Sequence, residues 1–482
     1  MTRSALEYRR SLHDGRAVHL DGKIVDVTTH PAFAGIVSTL ADLVDLSAQP
    51  ELRSVDPDVG QDVAWWWRTP RTREDLVARR TASTRLAEPT CGFVGRGPDH
   101  VASFFAGFVG AAEVFGNQAG AVVDYWRHMA AADQYLSYVI IPPSIDRARA
   151  ASGAEPTQVR MVDRDASGIT VSGSHILGTG TAVSDELFVS CIPPLRPGQA
   201  DHALSFAVPI ATPGLRVHCR RPFSAATSVF DAPFSSRFDE TDAVVVFDEV
   251  HIGWERVFVA GDIEATAAQF HATAAHTLGN LQAQIRLMLK LRFLLGLARR
   301  VVEASGAGDN PAALDSIAEI ATLAATVEAH VYAAEYRATL DEHGVLVPDK
   351  RYLYTTMARQ SELYPRVLHL LRELTSSQVI DLPSSVDALD HPDLVDHASS
   401  PDLDHEQRVK LYRLAWDVIG TEFAGRHHQY EMFYAGAPAV AKAHARRTWR
   451  FDEADDLLDR TLAQWDRTTP MPATRFDEGT VR

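Results

Sequence analysis

The 482 residues predict an α+β chain whose helices and strands fall in separate blocks. The hydrophobic period is helical over the first 150 residues, breaks into short alternating or apolar runs between Gln158 and Val259, and turns helical again after Ile263. Strands never alternate with helices, which argues against a doubly wound sheet or a β/α barrel. The chain is 46% hydrophobic and 23% charged, ordinary for a globular protein. Its length allows about three domains, placed at 1–150 (helical), 151–263 (β-rich) and 264–482 (helical).

In the first block, Pro31-Ala32-Phe33 opens an amphipathic run to Leu46. Thr72 and Asp75 have the spacing of a capping box before Asp75–Arg85. Asp99 is expected to cap a helix over Val101–Phe115. An alanine-rich helix over Ala119–Tyr138 is expected to follow, stopped by Pro142-Pro143. The β block reads as hairpins over Val159–Val162, Ile169–Val171, Glu186–Cys191, Leu204–Ile210, Leu215–Cys219 and Ala243–Phe247. Asp165–Gly168, Pro197-Gly198 and Pro213-Gly214 supply turns between them. The last block reads as helices over Glu264–Ala304, Asn310–His343, Pro365–Ser376, Glu406–Phe433 and Val440–Gln464.

Charge narrows the function. Lys and Arg number 47 against 63 Asp and Glu, a net charge of −16. Neither nucleic acid nor an anionic membrane is an expected partner of so acidic a chain. Cys91, Cys191 and Cys219 are far apart and form no CxxC, as in a reducing, cytoplasmic setting. The amino-terminal segment MTRSALEYRR has no apolar core, so no signal peptide is expected. The apolar run Leu287–Leu297 is interrupted by Lys290 and Arg292 and is too short to span a bilayer. The chain has no GxGxxG after a strand, no phosphate-binding P-loop, no HExxH and no GxSxG. The pairs His271/His276 and His427/His428 lack the spacing that puts two imidazoles on one helix face, so no metal site is expected.

Four segments have chemical potential, each with a plainer reading beside it. Gly95-Arg96-Gly97-Pro98-Asp99-His100 joins a fixed cation and an imidazole to a helix start, and fits an anion site or an ordinary solvated turn. Tyr138 to Arg147 fits a ligand-binding junction or a plain domain boundary. Leu177-Gly178-Thr179-Gly180-Thr181 fits a backbone platform for a flat ligand or a tight hairpin. Trp65-Trp66-Trp67-Arg68 fits ring stacking, though core packing is the simpler reading.

Together with further phrases these segments form a pattern. The phrases include Ser11–Arg16, Asp26–Phe33, Pro70–Leu76, Ser235–Ala243, Trp254–Phe258, Arg413–Asp417 and Tyr430–Gly436. From end to end the chain resembles the 4-hydroxyphenylacetate 3-monooxygenase family, the oxygenase components of two-component, reduced-flavin monooxygenases. The resemblance implies an acyl-CoA-dehydrogenase-like fold: helical domain, β-barrel, helical bundle. It implies FAD, used as FADH2 from a separate flavin reductase, together with O2, an aromatic substrate and a homotetramer. The implied chemistry is attack of a phenolate ring carbon on a flavin C4a-hydroperoxide. Alternatives on the same fold are a flavin-dependent dehydrogenase or dehydratase, or a non-catalytic flavin-binding protein.

By position, the resemblance assigns Arg96, His100 and Tyr138 to catalysis. It assigns Ser144, Ile145, Asp146, Arg147, Thr179, Ala437, Pro438, Ala439 and Val440 to the flavin. Arg96, Gly97, Pro98, Asp99, His100, Tyr138, Ile192 and Pro193 are assigned to the substrate. Family enzymes acting on 4-hydroxyphenylacetate carry tyrosine at His100, histidine at Tyr138, and hydroxyl side chains at Ile192 and Pro193. A conserved reaction on a different phenol is therefore expected, with His100 or Tyr138 as base.

Overall fold

The computed structural model describes residues 2–471 except 58–59, 153, 193, 224–227, 401, 435 and 470. Pro193, and Ala435 within the Tyr430–Gly436 phrase, therefore lie outside the described residues. Helix α1 (Ala5–Ser11) starts with a capping box between Ser4 and Glu7. In α2 (Pro31–Ser47) the His30 side chain accepts from the Ala32 N–H, and Pro31 needs no partner in the first turn. The expected Thr72–Asp75 capping box opens α3 (Arg73–Ala87). Helices α4 (Pro98–Gly110) and α5 (Ala119–Ala131) follow. Trp66 and Trp67 are fully buried, and Trp67 accepts a hydrogen bond from the Trp126 indole at 2.9 Å, so that cluster is core.

The block that reads as helical also supplies strands: β1 (Val18–Leu20), β2 (Lys23–Ile24), the small hairpin β3 (Arg53–Val55) and β4 (Asp62–Ala64), and β5 (Leu136–Val139). The expected helix over Ala119–Tyr138 thus stops seven residues early. Asp133 takes a positive φ of 49°, which the helix cannot continue through, and Leu136–Val139 pairs in parallel with Glu186–Val189. A short helix, α6 (Asp146–Ala151), leads into β6 (Arg160–Arg164), β7 (Gly168–His175), β8 (Glu186–Ser190), β9 (Leu204–Pro209) and β10 (Leu215–Cys219). Helix α7 (Ser235–Phe238) precedes β11 (Ala243–Gly253) and β12 (Val257–Ala260).

These strands form one sheet in the order β2-β1-β10-β11-β7-β6 and a second in the order β12-β9-β8-β5. Each has two edge strands among the described residues, so the expected barrel is instead a pair of open sheets. Phe206 of β9 and Phe247 of β11 meet edge to face at 5.9 Å between them. A bulge between Phe247 and Val250 shifts the register of β11 against β7.

The expected helix Glu264–Ala304 is two: α8 (Ile263–Ala268) and α9 (Ala275–Ala304). The Thr273 hydroxyl accepts from the Ala275 N–H at the second start. Asn310 caps α10 (Pro311–Tyr336), and the hairpin β13 (Thr339–Leu340) and β14 (Leu346–Val347) joins it to α11 (Lys350–Thr375). Pro365 lies inside α11, so the run read from Pro365 is only its second half. Then come α12 (Pro392–Ala398), α13 (His405–Ile419), α14 (Glu422–Phe433), α15 (Pro438–Thr448) and α16 (Phe451–Leu462). Helix α9 is buried along its first half on every side, and it brings polar side chains into the interior. Among the described residues no helix is long and apolar enough to cross a membrane.

Candidate active site

Helix α4 begins at Pro98 with Gly97 as its N-cap, so Asp99 lies in the first turn and is not the cap. There its carboxylate faces the positive end of the helix. The start places His100 one turn from Arg96, and the Arg96 Nη1 donates to His100 Nε2. Arg96 is held through its backbone: its N–H donates to Glu240 Oε1 at 2.6 Å, and its carbonyl accepts the Tyr135 hydroxyl at 2.7 Å. Gly95 is required here because a Cβ would come within 2.5 Å of the Tyr430 hydroxyl.

Three phenol rings surround the guanidinium. Its carbon lies 4.6 Å from the ring centre of Tyr138, 5.0 Å from Tyr434 and 5.3 Å from Tyr430. Contacts of this kind contribute about 0.5–2 kcal/mol each, most when dry. Tyr138 comes from β5, and Tyr430 and Tyr434 from the last turn of α14 and just beyond. The His100 ring lies 5.2 Å from Tyr138 and 5.0 Å from Phe104. Arg96, His100 and Tyr138, named from distant parts of the sequence, therefore meet at one point.

Burial works against the Arg96 charge, but the neighbouring phenols and Glu240 outweigh it and raise its pKa. His100 is fully buried; desolvation and then the Arg96 charge hold it well below the usual imidazole value, so it is neutral. Burial pushes the Tyr430 phenol up to about 12. Its hydroxyl has no hydrogen-bond partner among the described residues.

Charged side chains brace the site from behind. Arg426 of α14 reaches Asp242 at 2.7 Å, Glu240 at 3.1 Å and the Thr179 hydroxyl at 3.5 Å. Thr179 in turn donates to Asp242 at 2.7 Å. Burial opposes ionisation of Asp242, yet Arg426 and Arg220 lower its pKa. Deeper in, Arg286 makes a two-pronged pair with Glu431 at 2.7 and 2.8 Å, and Lys290 meets the same carboxylate at 2.6 Å. Burial depresses Lys290 to about 7 in spite of Glu431. Glu431 is pulled down to about 2 because its two cations outweigh its burial.

The remaining expected residues lie around this centre. Ile141 bridges Ile176, which starts the Pro142–Arg147 and Leu177–Thr181 turns side by side. Ser144, Ile145 and Arg147 are exposed, whereas Asp146 is buried and accepts from Thr157 and Gln158 backbone N–H groups at 2.8 and 2.9 Å. Leu177 combines a φ of 62° with an exposed apolar side chain, a costly conformation that ligand sites often retain. Ala437–Val440 form the mostly exposed first turn of α15, starting three residues after Tyr434. Ile192 is half exposed beyond β8, which runs parallel to β5. No group of three His, Cys, Asp or Glu side chains among the described residues is arranged to hold a metal ion. Tyr430, Tyr434, Gln282 and Arg426 were not singled out from the sequence as site residues. Buried polar side chains on the otherwise apolar start of α9 are the signal that could have found Gln282.

Comparison with known proteins adds an independent line. Residues 5–259 match the family described as 4-hydroxyphenylacetate 3-hydroxylase N terminal, and residues 266–463 match its C-terminal counterpart. The 4-hydroxyphenylacetate 3-monooxygenase oxygenase component of Geobacillus sp. (strain PA-9) is 32% identical over 448 residues, covering 90% of each chain. That of Thermus thermophilus is 34% identical over 424 residues, covering 86% of this chain and 88% of the relative. A crystal structure of such a component, complexed with FAD and 4-hydroxyphenylacetate, superposes with a TM-score of 0.91 at 31% identity. That superposition covers 96% of this chain and 98% of the other.

Proposed function

The chain belongs to the 4-hydroxyphenylacetate 3-hydroxylase family, and on that premise we propose that it is the oxygenase component of a two-component system. It uses FADH2 and O2 to hydroxylate a phenol, with the reduced flavin delivered by a separate reductase. The observation that carries this reading is the convergence of Arg96, His100 and Tyr138 in one buried, aromatic-walled site.

The surrounding residues suit a flavin. Gly178 and Gly180 let the turn pack against Val245 and the Tyr135 hydroxyl, which sets Thr179 beside Asp242, and Arg147 offers an exposed cation to a phosphate. Ser144, Ile145 and Arg147, Thr179, and the Ala437–Val440 turn would hold it, with Asp146 fixing its turn from inside. When bound, reduced flavin supplies the electrons that let one atom of O2 pass to the aromatic ring.

This chain's residues prepare the phenol. Arg96 stays charged and stabilises the phenolate oxygen electrostatically. His100 is neutral, and once the phenol oxygen takes over the Arg96 N–H, the freed Nε2 lone pair accepts the phenolic proton: the O–H bond breaks, an N–H bond forms, and imidazolium faces phenolate. The Tyr138 hydroxyl would serve as a donor to the same oxygen. Phe104, Phe270 and Tyr434 exclude water from this face. Ile192 supports a substrate with a less polar tail than a free carboxylate, because an unpaired carboxylate beside it would lose hydration without compensation. A homotetramer accompanies this reading.

The test is to give the purified chain either NADH or pre-reduced FAD in air with a panel of phenols, and to analyse the products. Hydroxylated product with reduced FAD, and none with NADH alone, is expected. Efficient NADH oxidation by the chain alone would overturn the two-component reading.

A further inference from the structure

Behind the site runs a chain of hydrogen bonds whose direction is fixed at one end. The Arg96 Nη1 donates to His100 Nε2. His100 Nδ1 lies 3.1 Å from Gln282 Oε1, and Gln282 Nε2 lies 2.9 Å from Asp99 Oδ1. A guanidinium has donors only. His100 Nε2 must therefore accept, which leaves the proton on Nδ1. Nδ1–H must donate to the Gln282 oxygen, and the Gln282 amide N–H then points at Asp99. A carboxylate at that end accepts, so both ends require the same orientation.

We propose that Gln282 and Asp99 are positioning residues that hold His100 in its Nδ1–H form, so that the Nε2 lone pair serves Arg96 at rest and the reacting phenol once the phenol oxygen takes over the Arg96 N–H. This rests on the hydroxylase reading for its purpose, and extends it to two residues that do not touch the Arg96 rings. The opposite tautomer would aim an N–H at a guanidinium and leave Nε2 without a lone pair. All three linked side chains are buried: His100 is 0% exposed, and Gln282 and Asp99 are 4% exposed. Water cannot easily substitute for a missing partner there, so each unmet group costs its desolvation. Asp99 itself sits near the buried Arg79 and Ser83, and burial raises it to about 6.

The groups facing His100 come from every packed element. They are Arg96 from the loop before α4, Tyr138 from β5, Tyr434 after α14, and Arg286 with Gln282 from α9. Of these, only Gln282 approaches Nδ1 as a hydrogen-bond acceptor. In Gln282→Met both bonds of the relay disappear. In Gln282→Glu a protonated carboxyl still accepts from Nδ1–H and donates to Asp99, so that variant should restore the relay.

The experiment is nitrogen NMR of protein labelled at histidine nitrogens, with the His100 signals identified by their loss in His100→Gln. The wild type is expected in the Nδ1–H form. Because Arg96 alone also demands it, the Gln282 variants are compared in an Arg96→Ala background. There Arg96→Ala by itself is expected in the Nδ1–H form, with Gln282→Met as a tautomer mixture, and with Gln282→Glu again in the Nδ1–H form. Single-turnover hydroxylation should fall about 10²-fold in Gln282→Met, with reduced-flavin affinity kept. A wild type in the Nε2–H form overturns the proposal without any variant being needed. So does a tautomer that Gln282→Met leaves unchanged in the Arg96→Ala background, or that Gln282→Leu leaves unchanged there if the methionine variant does not fold. The spectrum needs no turnover, so failure to hydroxylate any phenol would sink the hydroxylase reading and leave the tautomer to decide this one.

Discussion

Arg96 combines a permanent charge, near-complete burial and a backbone tied at both N–H and carbonyl. Truncating its side chain should therefore remove charge from the site while leaving the loop in place. Arg96→Ala is expected to slow hydroxylation about 10²–10³-fold, with Arg96→Lys recovering only part because an ammonium lacks the planar fork. Pre-steady-state product formation measures both, and an unchanged rate in Arg96→Ala would take this residue out of the chemistry. Glu431 has a structural role. Its removal leaves Arg286 and Lys290 buried without their shared counter-ion. Glu431→Ala should cost about 3–5 kcal/mol, read as a lower denaturation midpoint; a midpoint that stays put contradicts the ionic-core account. Arg96 and His100 were legible because they stand four apart around a Gly-Pro helix start. Gln282 was not. It sits in Gly279-Asn280-Leu281-Gln282-Ala283-Gln284, where period alone cannot tell a polar solvent face from a polar buried one. Gln282, Arg286 and Lys290 share one stripe of α9, and all are buried.

Helix α15 carries the Ala437–Val440 turn and is linked to the start of α9 by a histidine cluster. The rings of His271, His276 and His444 lie 4.9–5.5 Å apart, and the Tyr354 hydroxyl is 2.7 Å from His276 Nδ1. Burial, then the neighbouring imidazoles and Lys350, push His276 down to about 3. Burial, His444, Lys350 and Arg447 push His271 down to about 4. Both values lie below the unfolded value of about 6.5. Stability from keeping these rings neutral is thus complete above that value, and is lost as the pH falls toward the folded values. Acidification from about pH 7 to about pH 5 should speed amide exchange in α15 and the first turns of α9, and His444→Phe should weaken the effect. Exchange in α15 that is indifferent to pH, after correction for the intrinsic rate, would contradict this. Element boundaries were legible where local chemistry sets them, as at the Thr72–Asp75 box and the Asn310 cap. They were not where pairing sets them: Leu136–Val139 follows an alanine-rich helix, and becomes a strand because β8 is there to receive it.

At the scale of the molecule, the order helix, strand, helix was visible in the hydrophobic period, and the acyl-CoA-dehydrogenase-like fold follows it. Closure of the strands was not visible, because local period says nothing about which edges meet; the two sheets stay open. All three blocks send residues to the Arg96 site, so substrate choice depends on side chains far apart in sequence. The proposed substrate contact at Ile192 predicts that 4-hydroxyphenylacetate is used less efficiently than its methyl ester or a larger, less polar phenol. Comparing kcat/KM across that series checks this, and a maximum for the free acid would show that another segment supplies the carboxylate's partner. The proposed activity is transfer of oxygen from O2 to a phenol by this chain, using reduced flavin made elsewhere. Its most direct test is a single turnover: anaerobic protein with chemically reduced FAD, no reductase present, mixed with 18O-labelled O2 and a phenol. A hydroxylated ring carrying one labelled oxygen is expected, formed in the wild type and nearly absent in Arg96→Ala. Flavin oxidation with no labelled product from any phenol in the series would contradict it.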